Sequence, residues 1–333
     1  MVLVRLFGLA VLCLIIYRLR DAPWEAIVRE TNPWWLVFAM FLNLPQLGMR
    51  ALRWRSLLAR RGGRYSIGEA TEVYLSAAFL GILTPGRVGE IVRANYAVRD
   101  TGISYRAALA SVILDRAADV YLFSVVGLIG FLHFKVPTVA PVFLSAFVGA
   151  ALTLPLFLII LSGDRAGKLG FQRIVPWSFS DREQVVRLSV GGIYRTLAAT
   201  GAVHGIVYVQ SYCISLSLGI ADALNFVETA LVVALATIVA LVPVSFAGIG
   251  TRDLVAIELL SRRGLDEALA VLFSALVLAI FYGGTGLWGG LAYLRKPPGI
   301  GGVIPEELKH SADSISTSAS HGSQASSRSG ERD

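Results

Sequence analysis

The sequence predicts an all-α integral membrane protein, with about six full transmembrane helices and two re-entrant helical hairpins arranged as an inverted repeat. Three observations carry this expectation. The 333-residue chain is 55% hydrophobic and only 16% charged, and its mean hydropathy of +0.65 is far from the balance of a soluble domain. Apolar runs long enough to cross about 30 Å of hydrocarbon, at about 1.5 Å per residue, recur along most of it. Basic residues cluster from Arg50 to Arg64, from Arg165 to Arg187, and at Arg295 and Lys296; the positive-inside rule places all three regions in the cytoplasm.

Full spans are expected near residues 2–17, 33–52, 107–132, 136–161, 196–219 and 268–294. The first is short, being bounded by Arg5 and Arg18, so Arg5 must snorkel back to the interface. A cleaved signal peptide competes for this segment, but no A-x-A pattern follows the apolar core before Asp21-Ala22-Pro23, which favours an anchor. Arg50, Arg53 and Trp54 close the second span. Trp54 and Arg55 read as an interfacial anchor, and Arg50 and Arg53, one turn apart, are placed to meet an anionic lipid.

The hairpins follow from a topological count. Ser66 to Leu83 leaves a basic cytoplasmic loop, yet Arg99 and Arg106 also read as cytoplasmic before the next span begins, so this segment should enter and return. Residues 226–262 pose the mirror problem from outside. Their sequences share a layout: acids at the start (Glu69 and Glu72; Glu228), an apolar run, then LTPGRVGE at 83–90 or LVPVSFAGIGTRD at 241–253, and an A-L-A that leads into a long span. Inverted repeats with interrupted helices are a common construction of secondary transporters, whose substrate sites lie where the broken elements meet near the midplane.

Pro85 forbids helix continuation, while Gly86 and Gly89 allow close or left-handed backbone, so the first break falls at 84–86. Pro243, Gly248 and Gly250 repeat the device in the second hairpin, followed by Arg252 and Asp253. Arg87, Glu90 and Arg93 fall at i, i+3 and i+6 on one side of the returning helix. Two readings stand side by side: Glu90 pairs with either arginine and locks the hairpin, or the freed amides and arginines receive an anion such as phosphate. Asp115, Arg116 and Asp119 lie inside the span 107–132. Exposed to lipid they would cost on the order of 8–10 kcal/mol together, so they must face protein or water. Asp115 and Asp119 share a helix face, and Arg116 reaches Asp119 at i, i+3. His133 and His204 sit alone near predicted span ends and read as interfacial.

Several functions are excluded. The formal charge of +7 brings no Lys/Arg run interleaved with aromatics in a soluble stretch, so no nucleic-acid partner is expected. There is no G-x-S-x-G, H-E-x-x-H or Walker loop. The two cysteines, Cys13 and Cys213, form no disulfide framework. No metal and no cofactor are expected; Asp115 and Asp119 are separated by Arg116, which argues against Mg²⁺. Residues 1–296 read as one polytopic membrane domain. Residues 297–333 read as a disordered cytoplasmic tail, with nine serines from Ser311 onward and too little apolar surface to fold.

LTPGRVGEIVR, S-V-I-L-D-R-A-A-D at 111–119, R-A-L-R-W-R-S-L-L at 50–58 and P-V-S-F-A-G-I-G-T-R-D at 243–253 together resemble the flippase-like transmembrane domain of lysylphosphatidylglycerol synthases and its stand-alone relatives. The resemblance covers nearly all of residues 1–296. It implies an integral membrane protein, with lipid translocation shown or suspected in some members and association with glycolipid or polyprenyl pathways in others; the membrane expected for this chain is the cytoplasmic (inner) one. It puts Pro85, Gly86, Arg87, Gly89, Glu90, Arg93, Asp115, Arg116, Asp119, Gly248, Gly250, Arg252 and Asp253 at motif positions; Asp253 stands where many relatives are expected to carry Glu. The synthases also carry a soluble aminoacyl-transferase region, where this chain has only the Ser-rich tail, so lipid aminoacylation is not expected.

The leading expectation is a multi-pass protein, both termini cytoplasmic, that is not an enzyme and moves an anionic phospholipid or a lipid-linked sugar between leaflets. Arg50, Arg53, Arg87, Arg93, Arg116 and Arg252 would offer charge to the headgroup, with Glu90, Asp115, Asp119 and Asp253 holding them. The competing expectation is a non-transporting membrane partner of a glycosyltransferase or lipid-modifying enzyme. A membrane enzyme using Asp115 and Asp119 would require a divalent metal.

Overall fold

A computed structural model describes residues 29–135, 190–241 and 251–297, together with Glu25. The predicted spans 2–17 and 136–161, the connection 163–189, the tail from 298 onward, and Pro243, Gly248 and Gly250 lie outside the described residues.

Among the described residues every regular element is helical: α1 (Pro33–Phe41), α2 (Asn43–Ala59), α3 (Ile67–Leu83), a 3₁₀ segment (Pro85–Ile91), α4 (Val92–Thr101), α5 (Tyr105–Phe134), α6 (Val190–Ser217), α7 (Phe226–Leu241), α8 (Thr251–Ser261) and α9 (Glu267–Arg295). Four of the described stretches are long and apolar enough to cross a membrane: Pro33–Ala59, Tyr105–Phe134, Tyr194–Ser217 and Glu267–Arg295. The caps are local chemistry. Asn32 accepts from the Trp34 amide before Pro33 at the first helical position, Ser66 and Glu69 form a reciprocal capping box, and the Ser104 and Asp266 side chains accept from the first turns of α5 and α9, each filling amides that a helix start leaves open.

One boundary corrects the sequence expectation. The second span does not end at residue 52. No breaker follows until Gly62-Gly63, so α2 runs on through Ala59 and carries Arg50, Arg53 and Trp54 into the protein. Trp54 is therefore not an interfacial anchor: it is fully buried and its indole N–H donates to Ser111 Oγ at 3.2 Å.

Contacts at the two ends of α5 fix the course of the remaining elements. Beside the start of α5, the Tyr65 hydroxyl and Lys296 Nζ both donate to Asp100, at 2.9 and 2.8 Å, and Tyr96 donates to the Lys296 carbonyl at 2.6 Å. The α3–α4 pair thus begins and ends here, where α9 finishes. At the other end of α5, His133 meets Glu228 in the first turn of α7 at 3.4 Å, and Arg263, just past α8, reaches both. The α7–α8 pair begins and ends there. Apolar burial gives no drive for helix association in lipid, so close approach and polar contacts must supply it. At Gly289 of α9 a side-chain carbon would stand 2.7 Å from the Leu75 carbonyl oxygen, so only glycine lets α9 lie against α3.

Candidate functional site

The α3–α4 turn is built around Thr84. Its backbone is extended, which ends α3. Its hydroxyl bonds to the Leu80 and Gly81 carbonyls, at 3.0 and 3.2 Å, and accepts from the Gly89 amide at 2.7 Å. One hydroxyl therefore serves both a helix C-terminus and the returning strand of the turn. A carbon added at Gly89 would lie 2.3 Å from the Leu80 carbonyl oxygen, so this glycine is required by close approach. Arg87 holds a left-handed backbone, φ 57°, unusual for a side chain of its size and a form of strain found at functional sites. From that conformation the Arg87 side chain meets Glu90 across the turn, Nε to Oε1 at 2.9 Å.

From this turn runs a linear chain of alternating charges. Arg50 Nη1 contacts Asp119 Oδ2 at 3.0 Å, and Asp119 Oδ1 accepts from Arg53 Nη1 at 2.7 Å. Arg53 Nε donates to Asp115 Oδ1 at 2.8 Å, and Asp115 Oδ2 accepts from Arg93 Nη1 at 2.9 Å. Arg93 Nη2 lies 3.3 Å from Glu90 Oε2, Arg87 Nε lies 2.9 Å from Glu90 Oε1, and Arg116 contacts Glu90 as well. The sequence expectation that Arg116 neutralises Asp119 within α5 is corrected: Arg116 turns to Glu90, and Asp119 is held by Arg50 and Arg53 from α2. A helix can present these residues on different faces because α2 and the hairpin pack on different sides of α5.

The chain has an enclosed middle and accessible ends. Arg53, Asp115 and Arg93 have no exposed side-chain surface. Arg53 is also bonded to the Thr200 hydroxyl at 2.9 Å and the Asp115 carbonyl at 3.2 Å, while the Arg93 guanidinium lies 4.6 Å from the Tyr74 ring centre and 5.5 Å from that of Trp54. Such cation–π contacts add stabilisation where water is excluded. The terminal groups instead line a cavity of about 610 Å³, whose polar wall includes Arg50, Asp119, Glu90, Arg87, Arg116 and Arg252. Arg252, from α8, donates through Nη2 to Asp253 Oδ1 at 3.1 Å and the Ser274 carbonyl at 3.2 Å; the Ser274 hydroxyl donates to Asp253. Residues of both helix pairs therefore face one chamber. Most of the remaining wall is apolar, from residues such as Val112, Phe123, Val232, Phe273 and Val277.

Several participants escaped the sequence reading. Thr200 and Tyr74 carry no pattern that would single them out. The sequence places His204 near the start of a span, but α6 begins well before it, at Val190, and it is fully buried: its Nδ1 lies 2.9 Å from the Thr200 carbonyl and its ring packs edge-on against Phe123 at 4.2 Å. Among the described residues no three His, Cys, Asp or Glu side chains converge as metal ligands; the buried carboxylates converge on guanidinium groups.

A family model described as the lysylphosphatidylglycerol synthase TM region matches residues 2–289. The chain belongs to that family, and is a multi-pass membrane protein of a kind tied to lipid synthesis or translocation. No curated protein matches it.

Proposed function

Starting from that family membership, we propose that the chain moves an anionic lipid, a phospholipid or a polyprenyl-linked glycan, between the leaflets of the cytoplasmic membrane, and that it does so as a transporter and not as an enzyme. The observation that carries this reading is the shared cavity: arginines from α2, the first turn, α5 and α8 line it beside a largely apolar wall. A phosphate headgroup finds charge there while its chains stay in an apolar setting. In this reading the α3–α4 and α7–α8 pairs are re-entrant hairpins inserted from opposite faces, as the elements of an inverted-repeat transporter are, and irregular backbone at the Thr84–Ile91 turn is tolerated because it borders a cavity. Both termini lie in the cytoplasm, with Arg295 and Lys296 on that side.

Exposed apolar side chains mark a route into the cavity. Val88 and Ile91 of the turn and Ile113 of α5 line the chamber and are also exposed, at 59%, 39% and 43%. Acyl chains can pass between them while the headgroup moves just inside, past Arg87 and Arg116. The test is reconstitution of the full chain in vesicles with a fluorescent anionic phospholipid. Wild-type protein should move the lipid, and Arg87→Gln should slow it at least tenfold with the protein still folded. Equal movement by both would remove Arg87 from the route, and no movement by the wild-type chain would leave the recruitment of a glycosyltransferase or lipid-modifying enzyme as the better account.

A further inference from the structure

We infer that the cavity selects a headgroup carrying two negative charges, a phosphomonoester or a diphosphate, over the single charge of a phosphodiester. The inference rests on the proposed function and names its substrate class. Its basis is a count of charge. Among the described residues the linked network holds five arginines, Arg50, Arg53, Arg87, Arg93 and Arg116, against three acids, Glu90, Asp115 and Asp119. Arg252 beside the same cavity is balanced by Asp253. The formal surplus is two positive charges.

The position of that surplus matters as much as its size. Every acid in the chain bridges at least two arginines, so no carboxylate is left over at either end. Both ends are cationic: Arg50 at one, Arg87 and Arg116 at the other, and all three line the cavity. Arg50, only 8% exposed, keeps a buried Nε–H without an acceptor, as do Arg116 and Arg252. Buried donors with nothing to receive them are costly, and all three residues border the cavity.

Charge surplus of this kind is usually relieved by losing a proton, and arginine cannot do so. Relief must come from an anion. A phosphodiester brings one charge and leaves one arginine uncompensated. A phosphomonoester brings close to two at pH 8, together with three acceptor oxygens, and a diphosphate brings at least as much. Planar guanidinium forks suit such oxygens in pairs.

The experiment is a binding competition on the full chain in phosphatidylcholine nanodiscs at pH 8. Phosphatidic acid supplies the phosphomonoester, phosphatidylglycerol the phosphodiester, and inorganic pyrophosphate the free anion, with retained ligand measured by native mass spectrometry. The expected result is a preference of about tenfold or more for phosphatidic acid, the scale expected from one additional charge a few ångströms from the arginines. Arg116→Gln should shrink that preference to about threefold or less, and Arg116→Lys should keep it. Displacement of phosphatidic acid by millimolar pyrophosphate would show that the phosphate alone is read; resistance to it would show that the acyl chains are read too.

Equal retention of the two lipids by the wild-type chain overturns the inference, as does a preference untouched by Arg116→Gln. Movement of both lipids at one rate in vesicles, with no binding preference, sinks the charge inference and leaves transport standing. Selective binding with no movement of either lipid does the reverse.

Discussion

Asp115→Asn separates the scaffold of the charge chain from its working ends. Asp115 is fully enclosed and receives Arg53 Nε at 2.8 Å and Arg93 Nη1 at 2.9 Å, both from guanidinium groups that are themselves enclosed. Asparagine keeps the shape and one acceptor oxygen, but its amide N–H₂ points donors where a guanidinium already sits. Two buried cations then lose the charge between them, although Arg53 keeps Asp119 and Arg93 keeps Glu90. Leaving a buried charge unpaired costs about 3–5 kcal/mol, so with these second partners in place the loss should fall near the lower end of that range. Arg87→Gln is the contrast. The Arg87 side chain is 36% exposed, and the screening available at such a site keeps a lost ion pair near 1 kcal/mol or less. Thermal unfolding of the purified chain in detergent, followed by intrinsic fluorescence, should therefore fall steeply for Asp115→Asn and little for Arg87→Gln, while lipid translocation falls in both. If Asp115→Asn unfolds with the wild type, the middle of the chain is not a clasp, and the division between enclosed and working residues is wrong.

Glycine positions give a second test. Gly89→Ala sets a carbon 2.3 Å from a backbone carbonyl and should cost about 1–3 kcal/mol or prevent folding. Gly127→Ala meets only the tip of Ile238, at 2.2 Å; that side chain can turn, and thermal stability should change by less than about 1.5 kcal/mol. At Arg87, glycine relieves a left-handed φ of 57° worth about 1–2 kcal/mol but gains freedom in the unfolded chain of about 0.5–1 kcal/mol and loses the pair with Glu90, worth about 1 kcal/mol or less, so Arg87→Gly should unfold close to the wild-type temperature and yet translocate poorly. At the end of the bundle where α5 begins, burial raises the Asp100 carboxyl, but bonds from Arg99, Lys296 and Tyr65 outweigh it and hold the pKa below the usual range. The stability it adds is complete above the unfolded value of about 3.9 and is lost as pH falls through the lower folded value. Hydrogen-exchange protection at residues 293–296, taken relative to the intrinsic rate at each pH, should fall on acidification in the wild type and be low and flat across that range in Asp100→Asn.

Much of this arrangement is legible from residue types alone, because the bilayer makes some choices expensive. Pro85 and the glycines after it announce a break, and the acids of α5 announce a buried partner. What the sequence does not tell is which partner. Arg116 is one turn from Asp119 in sequence terms, and helix spacing points there; the structure gives it to Glu90 because the 3₁₀ turn packs on that side of α5. Arg50, Arg53 and Trp54 look interfacial because apolar composition fades near residue 52, whereas α2 continues as a helix with its arginines covered by α5 and α6. Thr200 and Tyr74 are silent in the sequence, since a hydroxyl and a ring become functional only through the arginine placed against them. His204 misleads for the same reason as Trp54: α6 extends further than its apolar core suggests.

The connectivity of the charge chain also says which contacts a movement of the turn must break. Arg50 and Arg53 lie on α2, Asp115, Arg116 and Asp119 on α5, and Arg87, Glu90 and Arg93 on the first turn and α4. Three contacts tie α2 to α5: those from Arg50 and Arg53 to Asp119 and from Arg53 to Asp115. The pairs of Glu90 with Arg87 and Arg93 are internal to the turn and travel with it. Among these ion pairs only Arg93–Asp115 and Arg116–Glu90 cross between the turn and α5. A rocking of the α3–α4 pair against α5 therefore breaks two pairs and keeps five. One of the two leaves Arg116 at the cavity wall without its carboxylate, at the place where a phosphate can take over. On the proposed function, an arriving anion would compensate the same charge that such a motion uncovers, so headgroup binding and movement of the turn would favour each other, as linkage between a ligand and the state it prefers requires.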